Sequence, residues 1–177
     1  GKTLGQELAN IDIPDWPQNI IRPSKQPLYQ EGGLAVLYGN LAPHGAIIKQ
    51  SAASQHLLSH TGRAVVFENM ADLAARIDAP DLDVLQDDIL VLRQIGPKGA
   101  PGMPEAGLIP IPKKLAVQGV KDMVRISDGR MSGTAAGTII LHVAPESAVG
   151  GPLSLLRTGD QIKLDVVKRQ LNMLISE

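Results

Sequence analysis

The 177-residue chain contains no cysteine. That removes disulfides, thiolate nucleophiles, cysteine-ligated zinc and any iron–sulfur cluster held by thiolates of this chain. It also leaves the redox compartment unreadable from cysteine usage. Aromatic residues make up only 2%, with one Phe, one Trp and two Tyr. The core must therefore be built from Val, Ile, Leu and Ala, and there is little on which single-stranded nucleic acid would stack. An excess of charge is lacking too: 17 Lys and Arg stand against 18 Asp and Glu, a formal net charge of −1. No basic face for nucleic acid or an anionic membrane is implied. No run of about 18 apolar residues occurs, and the N-terminus lacks the basic and apolar regions of a signal peptide. The expected compartment is the cytoplasm.

What is present is ordinary for a globular protein. Hydrophobic residues make up 44% and charged residues 20%, in a chain long enough for one domain with a sizeable core. The first thirty residues hold four of the 13 prolines and one short helical pattern, around Thr3 to Ala9. Residues 1–30 are expected to form an arm or linker leaving something else, and an opening without Met points to a fragment. Residues 31–177 are expected to form the domain itself.

Within it, GGLAVLYGN (32–40), AIIK (46–49), RAVVF (63–67) and DDILVLRQI (87–95) read as strands. So do MVRIS, TIILHV, LSLLR, QIKLDVV and LNMLI in the last third. MADLAARI reads as a helix capped by Asn69, and a second helix is expected over 112–118, with Gly119 just past its end. Strands so closely spaced leave no room for helical crossovers. The expected fold is mixed α/β, with a closed or barrel-like sheet and flanking helices.

Three loops are richer in Gly and polar residues than connections require: GNLAPHG (39–45), GPKGAPGMPE (96–105) and SDGRMSGTAAGT (127–138). Each follows a strand, where rigid scaffolds hold binding groups, although Gly and Pro also serve tight turns that bind nothing. The glycines around Ser132 and Thr134 offer backbone N–H groups to an anion, with Arg130 adding charge or pairing with Asp128. The loop matches neither a Walker motif nor a G-x-S-x-G elbow. His44, His56, His60 and His142 are the imidazoles available to a serine. His56 and His60 lie one helical turn apart with no third metal ligand, which reads as a solvated helix face. Glu105, in a stretch too rich in Gly and Pro for regular structure, is either a surface charge or an oxygen ligand for a hard cation such as Mg²⁺.

GGLAVLYGNLAPHGAIIK, GPKGAPGMPEAG, VRISDGRMSGTAAGT, HVAPESAVGGP and LLRTGDQIKLDVVKRQLNMLISE, in that order, resemble the C-terminal domain of the dihydroxy-acid and sugar-acid dehydratase family. PEAGLIPIPKKLA resembles the aldonic-acid (arabinonate and xylonate) branch more than the branched-chain amino-acid branch. The resemblance implies a swivelling β-barrel-like domain similar to that of aconitase-type enzymes. It also implies a hydro-lyase that converts a sugar acid to its 2-keto-3-deoxy acid with Mg²⁺ and an iron–sulfur cluster. By this resemblance Ser132 matches the base for the C2 proton, Thr134 the hydroxyl supporting it, and Glu105 a Mg²⁺ ligand. Arg130 is a further substrate-binding candidate. The cluster ligands would lie in a missing N-terminal domain of a larger, homo-oligomeric enzyme, so the chain alone is expected to be inactive. Two other readings stay open: a dihydroxy-acid dehydratase of branched-chain amino-acid synthesis, and a non-catalytic module that binds a small anion.

Overall fold

The structure, a computed structural model, describes residues 1–12 and 18–174. It divides into two units, Gly1–Glu31 and Gly32–Glu177. In the first, the expected short helix is present as α1 (Leu4–Leu8). Its start is fixed by a reciprocal cap: the Gln6 backbone N–H donates to Thr3 Oγ1, and the Thr3 N–H donates to Gln6 Oε1. Part of the expected arm, residues 13–17, lies outside the described residues.

The second unit is a closed eight-stranded barrel. Its strands are β1 (Ala35–Gly39), β2 (Ala42–Ile48), β3 (Ser59–Phe67), β4 (Ile89–Leu92), β5 (Arg125–Ser127), β6 (Ile139–Ala144), β7 (Gln161–Asp165) and β8 (Gln170–Leu174), in the order β1-β2-β6-β5-β4-β3-β7-β8. The pairs β3–β4, β4–β5 and β5–β6 are parallel, and β2–β6, β1–β2, β3–β7 and β7–β8 are antiparallel. A single parallel pairing, Tyr38 with Gln170, closes the circle. A mixed α/β fold with a barrel-like sheet is therefore present, not a doubly wound one.

The scarcity of aromatics has a counterpart here. The barrel interior is filled by Leu37, Ile48, Ala64, Val66, Ile89, Val91 and their aliphatic neighbours, side chains of the size that an eight-stranded barrel accommodates. Alternate residues of the same strands, Val65, Phe67, Leu90 and Leu92, point outward into a second cluster. That cluster is covered by Leu73 and Ile77 of the first domain helix and Leu115 of the second. Burial on both faces explains why ILVL of β4 is uniformly apolar, as parallel strands usually are. The covering helices are α2 (Met70–Arg76), whose cap Asn69 accepts from the Asp72 N–H at 3.0 Å, and α3 (Lys113–Val117). Gly119 follows α3 with φ +94°, a left-handed conformation suited to glycine. Among the described residues, no helix is long and apolar enough to cross a membrane.

Three local expectations need correction. LSLLR is not a strand: Pro152–Leu155 form a 3₁₀ turn. Pro152 cannot donate to a ladder, and the buried Arg93 guanidinium takes the carbonyls of Leu153, Ser154 and Leu156. GNLAPHG is mostly hairpin, because β2 begins at Ala42. His56 and His60 share no helix face. His56 lies in a 3₁₀ turn (Gln55–Leu57) and His60 in β3, where its Nε2 sits 2.8 Å from the Asp87 carbonyl oxygen.

Candidate active site

β4, β5 and β6 end side by side, with Leu92 paired to Ser127, so the loops that follow them leave the barrel together. Two buried carboxylates tie these loops into one body. Asp128, 1% exposed, accepts from Ile95 N (3.1 Å), Ser147 N (2.9 Å) and Ser147 Oγ. Ser147 Oγ in turn accepts from Gln94 N at 2.8 Å. Glu146 reaches back under the loop after β4 and accepts from Lys98 N (2.8 and 3.0 Å) and Gly99 N (3.3 Å). Successive N–H groups of this kind form an anion-binding concavity, and here the protein's own carboxylate fills it. The packing is close: a Cβ on Gly96 would lie 2.2 Å from Glu146 Oε2.

Backbone strain gathers on the stretch after β4 and within β6. Gln94, Met103, Ile109 and His142 have φ of +59°, +43°, +42° and +54°, a region costing roughly 1–3 kcal/mol for side chains other than Gly and tolerated where surroundings enforce it. Between the loops opens a hollow of about 410 Å³, lined by Lys98, Met103, Asp128, His142 and Glu146 among others. A second hollow, about 520 Å³, lies beside Asp87 and Asp122, which precede β4 and β5, and neither hollow is lined by Glu105, Arg130, Ser132 or Thr134.

The designated residues form two touching pairs on adjacent loops. Arg130 Nη1 meets Glu105 Oε1 at 2.7 Å, and its Nε donates to the Met103 carbonyl at 2.6 Å. Arg130 therefore pairs with Glu105, not with Asp128, whose oxygens are engaged by backbone and Ser147. Two residues on, Ser132 Oγ and Thr134 Oγ1 are 3.0 Å apart. The backbones join as well, Gly107 N donating to Arg130 O at 2.8 Å. The tip of GNLAPHG is elsewhere. Asn40, beside the start of β2, bonds to Asn172 and Met173, whereas Lys49, just past the other end of β2, reaches Gly133. Seven residues of strand, roughly 20 Å, separate the two, so only two of the three Gly-rich loops converge.

The Ser132 loop rests on the segment that follows β2. Lys49 Nζ donates to Gly133 O (2.8 Å), Gly137 N to Ala52 O (2.9 Å), and Ser54 N to Thr138 Oγ1 (3.1 Å). Beneath it, Asp122 binds Ser54 Oγ, Thr138 Oγ1 and Thr138 N, and pairs with Arg125 at 2.6 Å. Burial alone would raise the Asp122 carboxyl above its ordinary value. The hydrogen bonds from Ser54 and Thr138 and the Arg125 charge outweigh burial and hold it lower. Burial pulls the Arg125 guanidinium downward, against the pull of Asp122.

The sequence matches the family model described as the C-terminal part of dihydroxy-acid/6-phosphogluconate dehydratases over residues 19–177. The chain belongs to this family. It is 50% identical to the L-arabinonate dehydratase of Rhizobium leguminosarum bv. trifolii over 177 residues, covering 100% of this chain and 30% of that protein. With the 6-deoxy-6-sulfo-D-gluconate dehydratase of Pseudomonas putida it shares 53% identity over 169 residues, 94% of this chain and 29% of the relative. A dihydroxy-acid dehydratase of Syntrophobacter fumaroxidans is 42% identical over 177 residues, 100% of this chain and 31% of that protein. The chain thus spans less than a third of the length of these relatives.

As a metal site, Glu105 offers one hard oxygen donor and is half-exposed. Among the described residues no group of three or more His, Asp or Glu is placed to hold an ion. Glu105 therefore offers at most one ligand to a hard cation such as Mg²⁺. Nothing here fits an iron–sulfur cluster, since the sequence has no cysteine.

Reading loops for nucleophiles missed Asp128 and Glu146 as the groups that hold the site together. The available signal was a carboxylate within two residues of the end of each of β5 and β6: Asp128 after Ser127, and Glu146 after Ala144–Pro145.

Proposed function

We propose that this chain is the C-terminal domain of an aldonic-acid dehydratase, a hydro-lyase that converts a 2,3-dihydroxy acid to a 2-keto-3-deoxy acid. Ser132 takes the proton from C2, the C3–O bond breaks with its hydroxyl leaving as water together with that proton, and the enol so formed tautomerises to the ketone. The observation that carries the reading is the Ser132–Thr134 hydroxyl pair beside the Arg130–Glu105 ion pair, on loops held rigid by Asp128 and Glu146. Thr134 Oγ1 and Thr134 N both lie on Ser132 Oγ, the N–H at 3.5 Å, and both are donors that suit a serine oxygen bearing negative charge. Arg130 engages the substrate carboxylate on exchanging its Glu105 partner. Mg²⁺, with Glu105 as one ligand, would supply positive charge at the substrate's carboxylate end.

Sugar-acid relatives at 50% and 53% identity, against 42% for a dihydroxy-acid dehydratase, favour the aldonic-acid branch over branched-chain synthesis. The anion-module reading is weakened because Glu146 already occupies the concavity after β4. On the proposed reading residues 1–30 link the barrel to a cluster-bearing N-terminal domain, against which the barrel swivels as in aconitase-type enzymes.

The test compares the full-length polypeptide carrying these residues with the 177-residue chain alone. The full-length enzyme is expected to dehydrate an aldonic acid, and its Ser132→Ala variant to lose turnover while keeping its thermal midpoint. The isolated chain should be inactive even with Mg²⁺ added. Near-normal turnover by the alanine variant removes Ser132 from the mechanism, and dehydration by the chain alone overturns the fragment reading.

A further inference from the structure

A serine hydroxyl is about as weak an acid as water, so a serine base needs positive charge near its oxygen. On the Ser132 loop itself the charge belongs to Arg130, which is committed to Glu105 and to the Met103 carbonyl. Lys49 is a second cation that reaches this loop. It is the first residue after β2, and its backbone is set by the Ile48–Ile140 register with β6. From there its half-buried side chain spans to the loop and donates to Gly133 O at 2.8 Å. Gly133 is the residue between the two hydroxyls, so the ammonium grips the turn at its centre. Lys49 takes part in none of the ion pairs seen among the described residues. An ammonium bound to a neutral carbonyl keeps its full charge available to an anion that forms near it.

We propose that Lys49 is a positioning residue for Ser132: its ammonium fixes the Ser132–Gly133–Thr134 turn through the Gly133 carbonyl and supplies the charge that favours the deprotonated serine. This inference rests on the reading of Ser132 as the base. The neighbouring bonds from Gly137 to Ala52 and from Ser54 to Thr138 hold the rest of the loop without Lys49. Loss of the ammonium should therefore alter chemistry more than folding.

The experiment uses the full-length polypeptide with Lys49→Met, Lys49→Arg and Lys49→Ala, with Ser132→Ala in parallel. For each, kcat and KM toward an aldonic acid and the thermal midpoint are measured. Lys49→Met is expected to lower kcat roughly 10- to 100-fold, in the range of lost oxyanion donors or somewhat below, with KM and thermal midpoint little changed. Lys49→Arg should retain more turnover than Lys49→Met. Ethylammonium should restore part of the Lys49→Ala turnover in a saturable manner, and tetramethylammonium, which has no N–H, should not. Wild-type kcat in Lys49→Met overturns the proposal. So does a loss that tracks the unfolded fraction and resists rescue, which would make Lys49 a scaffold residue only. If Ser132→Ala is inactive and Lys49→Met is normal, this inference alone fails; if Ser132→Ala turns over normally, the functional reading fails and takes Lys49 with it.

Discussion

Asp122 is where the support of the Ser132 loop converges. Its two oxygens take Ser54 Oγ, Thr138 Oγ1, Thr138 N, Met123 N and the Arg125 guanidinium. Arg125 in turn holds the carbonyls of Leu108 and Ile109, on the chain leading from Glu105 to α3. Removing one partner of such a buried pair strands the other, and Asp122→Ala is expected to cost about 3–5 kcal/mol, read by denaturant unfolding. Because the folded state holds the Asp122 carboxyl below its unfolded value, its contribution is fully present above about pH 4 and is lost as pH falls through the lowered value. Asp122→Asn should accordingly flatten the acid side of the stability profile. An unchanged acid limb would show that other carboxylates dominate acid unfolding.

At the level of elements, the parallel strands β4, β5 and β6 fix where chemistry sits, since their ends deliver three loops to one place. The loop after β4 contributes little regular structure of its own. It is shaped by Glu146 beneath it and by Arg130 holding Met103. Gly96→Ala tests this directly, because the new Cβ would meet Glu146 Oε2. The expected cost is about 1–3 kcal/mol, typical of overpacking, together with faster amide exchange at Lys98 and Gly99. Wild-type exchange at both amides would mean that the loop keeps its shape without the Glu146 contact.

At the largest scale, the second unit is a barrel whose circle closes through one slender joint. β8 pairs with β7 over five positions and with β1 at Tyr38 alone. Deleting residues 170–177 removes β8 and exposes the edges of β1 and β7, together with Leu164 and the rest of the interior. That truncation should abolish cooperative thermal unfolding followed by circular dichroism. A sharp transition near the wild-type midpoint would instead show that the seven remaining strands suffice. The barrel also leaves Val36, Tyr38 and Ile47 substantially exposed on the outer face of β1 and β2.

Local pattern alone determined a good deal of this protein. The apolar runs marked six of the eight strands close to their observed positions and signalled β2 and β3 by their second halves. The Asn69 cap and Gly119 bounded α2 and α3, and the ordered motifs carried the family. These features are legible because each depends on neighbours a few residues away: side-chain alternation, a cap, a left-handed glycine. Long-range pairing decided the rest. LSLLR has the composition of a strand, yet Arg93, sixty residues upstream, takes its carbonyls. GNLAPHG resembles the other two Gly-rich loops in composition, but the direction of β2 carries its tip away from Ser132. Glu146 and Lys49 are an unremarkable carboxylate and amine in sequence. Only closure of the barrel brings one beneath the loop after β4 and the other onto the carbonyl between Ser132 and Thr134, because both contacts span dozens of residues and exist only once distant strands have paired.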